Sequence, residues 1–287
     1  MMSLCGPRRL ALAAVWLTLA GPAMAQGSGA LGHYDLRGAG DSHVKLAKSL
    51  AELSGLAFAA DGRLLGHGDE KAVISYIDLA DGAPIEGFAF TNKRGVLRGD
   101  FEDIQVVGDR VILVTSSGEL FEGRPRTGDG SVEAVRLSGG LEGVCSVEGM
   151  AWDQPSRSLL LLCKQVRSKR WRSDVVVLAV SPETGKLEEK PRMTIPEREL
   201  ERVTGAPHFN GSAMVRHPKT GTYILIAGPQ HAYAEVDARG HVLAGGRLDL
   251  ERHRQPESIA IAPDLMLLIG DEAAGKAATI TGYAWHP

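Results

Sequence analysis

Five segments of the chain repeat one short pattern, and that repetition restricts the fold more than any other feature. They are Ser54-Gly55-Leu56-Ala57, Glu102-Asp103-Ile104-Gln105, Glu148-Gly149-Met150-Ala151, Ser212-Ala213-Met214-Val215 and Glu257-Ser258-Ile259-Ala260. Each opens on Ser or Glu, carries Leu, Ile or Met two positions later, and leads through a short turn into a second apolar run. A period near fifty residues marks a repeat architecture, in which each unit buries its apolar faces only against its neighbours. The anchors lie 48, 46, 64 and 45 residues apart, and the pieces before Ser54 and after Glu257 together amount to about one more unit. That near-integral count favours a closed ring over an open solenoid or a sandwich.

Each unit reads as strand, turn, strand, turn, strand. In the second unit Asp103–Val107, the turn Gly108-Asp109, Val111–Thr115, the turn Ser117-Gly118 and Leu120–Glu122 show the pattern. The runs are rich in β-branched residues and the turns in Gly, Pro and Asp. Small residues such as Gly55/Ala57 and Gly149/Ala151 alternate with large ones such as Leu56/Phe58 and Met150/Trp152, which puts the two sets on opposite faces of a strand. A radial stack of sheets, bulky face against small face, needs this arrangement. The expectation is an all-β chain, a five-bladed β-propeller closed by an N-terminal strand at His33–Leu36. A six-bladed ring is the alternative, with the extra blade inside the 64-residue interval. A short helical insert is expected over Pro196 to Val203.

Residues 1–25 read as a signal peptide. Arg8 and Arg9 precede a short apolar stretch, Leu10 to Ala20, and Ala23-Met24-Ala25 is a small-x-small cleavage site. The mature chain, 26–287, is then one propeller domain, exported to the periplasm or secreted, or held at the envelope, with no later apolar run long enough to span a membrane. The net charge is −3, and Lys169-Arg170-Trp171-Arg172 is a local cluster, so no nucleic-acid partner is expected. The chain is expected to be a monomer. Cys145 and Cys163 form either a disulfide, worth about 3 kcal/mol in the chain-entropy model, or two buried thiols.

In a propeller, residues opening the innermost strand and residues closing the second strand share one rim. The first set is Ser54, Glu102, Glu148, Asn210/Ser212 and Glu257. The second is Asp69-Glu70, Ser116-Ser117, Lys164, Gly228-Pro229 and Asp271-Glu272, with a Gly-Asp-Glu triplet twice at matching offsets. His67, His208, His231 and His253 fall near the same rim, as loop surface. Three glutamates aimed at one axis need a partner when desolvated. Calcium held by Glu102, Glu148, Asn210 and Glu257 is one solution. The other is Lys164 with retained water.

Leu53-Ser54-Gly55-Leu56-Ala57, Asp100-Phe101-Glu102-Asp103-Ile104, Val147-Glu148-Gly149-Met150-Ala151 with Cys163-Lys164-Gln165, and Gln255-Pro256-Glu257-Ser258-Ile259-Ala260 together resemble the SdiA-regulated (YjiK-like) family of exported or envelope-associated bacterial proteins. The resemblance runs over nearly the whole mature chain and implies a β-propeller with glutamates on its top face. It departs at Ser116-Ser117-Gly118, where relatives tend to carry an acidic turn. A looser similarity reaches calcium-bearing propellers of the phytase-like and lactonase type, and implies a hydrolase of esters, lactones or phosphoesters with Asp69, His208 or Asp271 as base. Two functions follow. One is a propeller that binds a small ligand or a protein at an acidic mouth lined also by Ser54, Glu70, Lys164, Ser212 and Glu272. The other is that calcium-dependent hydrolase.

Overall fold

The structure, a computed structural model, describes residues 29–126, 128–141 and 143–287. The signal-peptide reading of 1–25 lies outside them. Five antiparallel sheets follow one another along the chain. The first blade is Leu53–Phe58, Leu64–Gly68, Val73–Ile77 and Pro84–Asn92. The second is Phe101–Val107, Arg110–Thr115, Glu119–Gly123 and Val135–Gly139, and the third is Cys145–Asp153, Ser158–Val166, Asp174–Val180 and Met193–Pro196. The fourth is Ala213–Arg216, Tyr223–Ala227, Ala232–Val236 and Val242–Arg247. The fifth is Pro256–Ile261, Leu267–Asp271 and Thr279–Tyr283, completed by the N-terminal strand Ser42–Lys45. Each innermost strand packs on the next, and the fifth packs on the first, so the ring closes. The chain is a five-bladed β-propeller.

The core is five wedges, one between each pair of neighbouring sheets. Leu160 and Leu162 of the third blade meet Tyr223 and Leu225 of the fourth in one of them. Each fully buried aliphatic side chain contributes about 1.5–3 kcal/mol relative to exposure. The small-face reading holds where it matters most. A Cβ on Gly55 would sit 3.0 Å from Asp103 Cα of the next blade, and one on Gly149 would sit 3.0 Å from the Met214 amide nitrogen. Backbones pass that close only where the side chain is missing.

Two expectations change and one alternative falls. Four of the blades have a fourth, outermost strand that the three-strand reading missed. In the first, second and fourth blades these strands are largely exposed or half-buried, while in the third Met193 and Ile195 are buried in the wedge against the fourth blade. The closing strand is Ser42–Lys45, and not His33–Leu36. His33 ends a short 3-10 turn, Ala30–His33, while Tyr34 and Leu36 are buried in the wedge between the fourth and fifth blades. Their apolar character reports that wedge and no ladder. The 64-residue interval holds no sixth blade. It carries the helix α1, Glu197–Thr204, which acidic first-turn residues Glu197 and Glu199 favour and which the left-handed Gly205 (φ 68°) ends.

The second blade also lends a strand to the first. Ser131–Glu133 pairs parallel to Pro84–Asn92 before the chain returns to its own sheet at Val135. Cys145 and Cys163 are disulfide-bonded, stapling the two inner strands of the third blade.

Candidate functional site

The inner strands do not run regularly into the rim. In the first blade the register slips between Leu53 and Gly55, in the second between Phe101 and Asp103, in the third between Val147 and Gly149, and in the fifth between Pro256 and Ser258. The residue skipped each time is the anchor: Ser54, Glu102, Glu148, Glu257. A bulge removes one residue from the ladder and re-aims its side chain. Here it turns four side chains into one mouth. In the fourth blade Ser212 holds the matching place, its N–H donating to the Ile226 carbonyl at 2.8 Å.

The register also settles the second ring of residues. Gly68 pairs with Leu53, Cys163 with Val147, and Asp271 with Pro256, so the next residues, Asp69, Lys164 and Glu272, occupy equivalent positions. The two Gly-Asp-Glu triplets are therefore one step out of phase. Asp69 and Glu272 reach the mouth. Glu70 is exposed and outside it. Asp271 is buried and committed elsewhere, to His253 Nδ1 at 2.8 Å and to the Gln255 N–H at 3.2 Å. That removes it as a base at this site.

The mouth is a cleft of ≈ 310 Å³ lined by Ser54, Asp69, Asp100, Glu102, Glu148, Lys164, Ser212, Gln255, Glu257 and Glu272. Asp100 accepts from the Ser116 hydroxyl at 2.7 Å, so the blade without an acidic turn still supplies a carboxylate. Gln255 donates its side-chain amide to Glu272. Gly228 has no side chain for a steric reason: a Cβ there would meet the Pro256 carbonyl at 2.5 Å and Glu257 Oε1 at 3.2 Å. Lys164 Nζ stands 3.0 Å from Glu148 Oε2.

Six carboxylates and one ammonium share this space, and the acids pay for it in protonation. Burial pushes Glu102 up to about 9, with the Glu148 and Asp100 charges adding to it. Burial pushes Glu257 to about 7, helped by Glu272 and Glu148. Glu272 is also raised, by burial and then by Asp69 and Glu52. Glu148 is raised by burial, with Lys164 acting against the shift. Burial opposes the Lys164 charge, yet Glu148 outweighs it and the ammonium is held above its ordinary range.

Two further expected residues are not here. Asn210 lies two positions before the ring residue Ser212 and does not line the mouth; its N–H donates to Gln230 Oε1 at 3.0 Å. His208 is exposed, with Nδ1 3.6 Å from Glu197 Oε2 on the helix α1. Of the rim histidines, His67 and His253 are fully buried and are not loop surface. His67 pairs Nδ1 with the Gly68 carbonyl at 2.8 Å, and burial holds it down at about 4.

The donor chemistry of Glu102, Glu148 and Glu257 suits a hard cation. The geometry does not close round one: among the described residues no three His, Cys, Asp or Glu side chains stand together in metal-holding geometry. Glu148 already faces an ammonium. A calcium cage built on these residues with Asn210 does not fit this arrangement, and no chemical step is derived through it.

No protein-family model and no curated protein sequence matches the chain. Solved structures do match in fold. Myxococcus xanthus glutaminyl cyclase superposes with a TM-score of 0.57 at 13% identity, over 86% of this chain and 95% of that one. The PQQ-bound aldose sugar dehydrogenase of Streptomyces coelicolor gives 0.52 at 12% identity, over 84% and 96%. A gluconolactonase from Xanthomonas campestris gives 0.52 at 13% identity, over 81% and 72%. At such identities the likeness is one of fold. Among the described residues no helix is long and apolar enough to cross a membrane.

Proposed function

We propose that the chain is an exported ligand-binding propeller whose mouth takes a small organic cation, an ammonium or guanidinium group. The observation that carries this is the imbalance of six carboxylates against one lysine in a cleft of ≈ 310 Å³. That volume is near the lower end of the ~300–1,000 Å³ typical of small-molecule sites, and generous for a bare ion. Lys164 on Glu148 is the protein's own example of the group the mouth accommodates. The resemblance to the SdiA-regulated family supports an exported propeller with a glutamate-lined face. The disulfide fits an oxidising compartment.

A cation entering the mouth must displace protons, because near neutral pH Glu102 holds its proton and Glu257 is partly protonated. Calorimetry at pH 7.5 in two buffers of different ionisation enthalpy is the test, with agmatine, putrescine, calcium and a cationic peptide as separate arms. Saturable agmatine or putrescine binding with proton release, lost in Glu102→Gln/Glu257→Gln, is the expected result. Calcium binding alone would return the site to a metal role, and peptide binding alone to a protein partner. No binding in any arm would end the reading.

A second reading has its own observation. Glu102, held protonated, faces Glu148, which Lys164 draws toward the ionised form. Carboxyl groups pushed apart in this way can act as proton donor and acceptor. Hydrolysis of an ester, lactone or phosphoester would use that pair, with Asp69 beside it. Turnover across a panel of such substrates, with and without chelator, tests it. Activity abolished by Glu148→Gln in a protein that still melts cooperatively would support it, and silence across the panel would remove it.

A further inference from the structure

Outside the acidic mouth, on the same rim, the fifth blade carries a second cavity of ≈ 280 Å³ in which four cations outnumber three acids. Three pieces of chain enclose it: the end of the added strand at Lys45, the loop carrying Arg252 and Arg254, and the hairpin carrying Lys276. Three acids share its wall: Asp271, held by His253 and the Gln255 N–H, Glu272, which accepts from the Gln255 side chain and faces the mouth as well, and Glu251. Among the described residues, none of the four cations forms an ion pair within 4.0 Å. His43 completes the wall. It bonds Thr281 Oγ1 at 2.9 Å, and burial together with the Arg252 charge holds it below the usual imidazole range, so it adds a neutral polar edge.

The fold fixes the arginines in place. Asp249 accepts the N–H groups of Glu251 and Arg252 at 2.9 and 2.8 Å through its side chain, and that of His253 through its carbonyl. His253 is fully buried, pinned between Asp271 and Tyr283 Oη at 2.8 and 2.7 Å. Arg252 and Arg254 flank this plug, so the backbone that presents them is anchored from below. Ordering cost on binding falls when the loop is held beforehand. Four unpaired cations around one cavity strongly favour a compact multivalent anion over a single carboxylate.

We propose that this pocket binds a phosphate group, free or carried by a small organic phosphate, through Lys45, Arg252, Arg254 and Lys276. The site is distinct from the mouth and does not depend on what the mouth takes, although Glu272 lines both. The cavity exceeds a phosphate in size, so an esterified group has room beside it.

The test is calorimetry with the mature protein at constant ionic strength. Its arms are inorganic phosphate, glycerol phosphate, acetate and chloride. Saturable one-site binding of inorganic phosphate or glycerol phosphate is expected, the tighter of the two identifying the source. Arg254→Ser/Lys276→Ser, which alters two exposed side chains, should weaken it by about tenfold or more. Glu102→Gln should leave it in place, which separates this site from the mouth. The proposal fails if neither phosphate binds, if acetate binds as tightly, or if the double variant binds like the parent. A melt of the double variant matching the parent shows that any loss is local.

Discussion

Two buried carboxylates on opposite sides of one criterion explain how this molecule divides its labour. Glu235 is fully buried, and its oxygens take the N–H groups of Ala30 and Leu31 at 2.6 and 2.9 Å and the Thr222 hydroxyl. Each oxygen has a donor, and the result is a clamp on the segment that leads into the ring. Glu102 is also largely removed from water, but its neighbours are Glu148 and Asp100, so it holds a proton instead of finding a donor. A satisfied buried acid is architecture. A crowded one is a site waiting for charge.

Four substitutions or treatments would break or sharpen that contrast. The largest effect is expected at the clamp. Glu235→Ala strands two buried N–H groups and should cost about 3–5 kcal/mol in urea unfolding; a loss below that of an exposed pair would mean the clamp is idle. Next comes the staple beneath the mouth. Reducing Cys145–Cys163 frees the strands that carry Glu148 and Lys164, and should lower stability by about 3 kcal/mol, read from the urea midpoint with and without reductant.

The mouth should respond with the opposite sign. Between the ordinary carboxylate value of 4.5 and about 9, the folded chain keeps a proton on Glu102 that the unfolded chain has released. Stability therefore falls as pH rises through that window. Glu102→Gln removes the slope, and should melt above the parent at pH 8 by about 2 kcal/mol, roughly half of what the whole window would give because the open mouth screens the charge, with the advantage gone near pH 4.5. A variant that is less stable at pH 8 would put Glu102 with Glu235. The smallest effect is expected at Arg124–Asp109, an exposed pair at 2.7 Å. Arg124→Ala should change the melt by less than about 1 kcal/mol, setting the scale for a carboxylate with free access to water.

The ring was readable because its inner strands must satisfy two neighbours at once. Gly55 and Gly149 are small for the next blade, Leu56 and Met150 large for the previous one, and that demand recurs in sequence. Most of the outermost strands answer to solvent. Ser42–Lys45 pairs through its backbone with Thr279–Tyr283 and has no buried residue, so no alternation announces it. At the mouth, the glutamates were legible as a repeated anchor, but their partners depended on where each triplet falls against the ladder. The two hairpins have the same length, yet the triplet of the fifth blade starts one residue nearer its anchor, which puts Glu272 where Asp69 stands in the first and turns Asp271 inward to a histidine. Asn210 and His208 failed for a related reason, since loop residues near a rim have no ladder to fix their direction. The bulges carried no signal of their own; equal residue types at equal depth was the one hint that something aimed them together.

Because the four bulged residues stand outside the hydrogen-bond ladder, their identities are uncoupled from strand pairing. Serine sits at one of these steps and glutamate at three, over the same backbone. The scaffold thus offers a set of exchangeable sockets: new polar groups could be installed at positions 54, 102, 148 and 257 to retune what the opening accepts, while the sheets beneath keep their register.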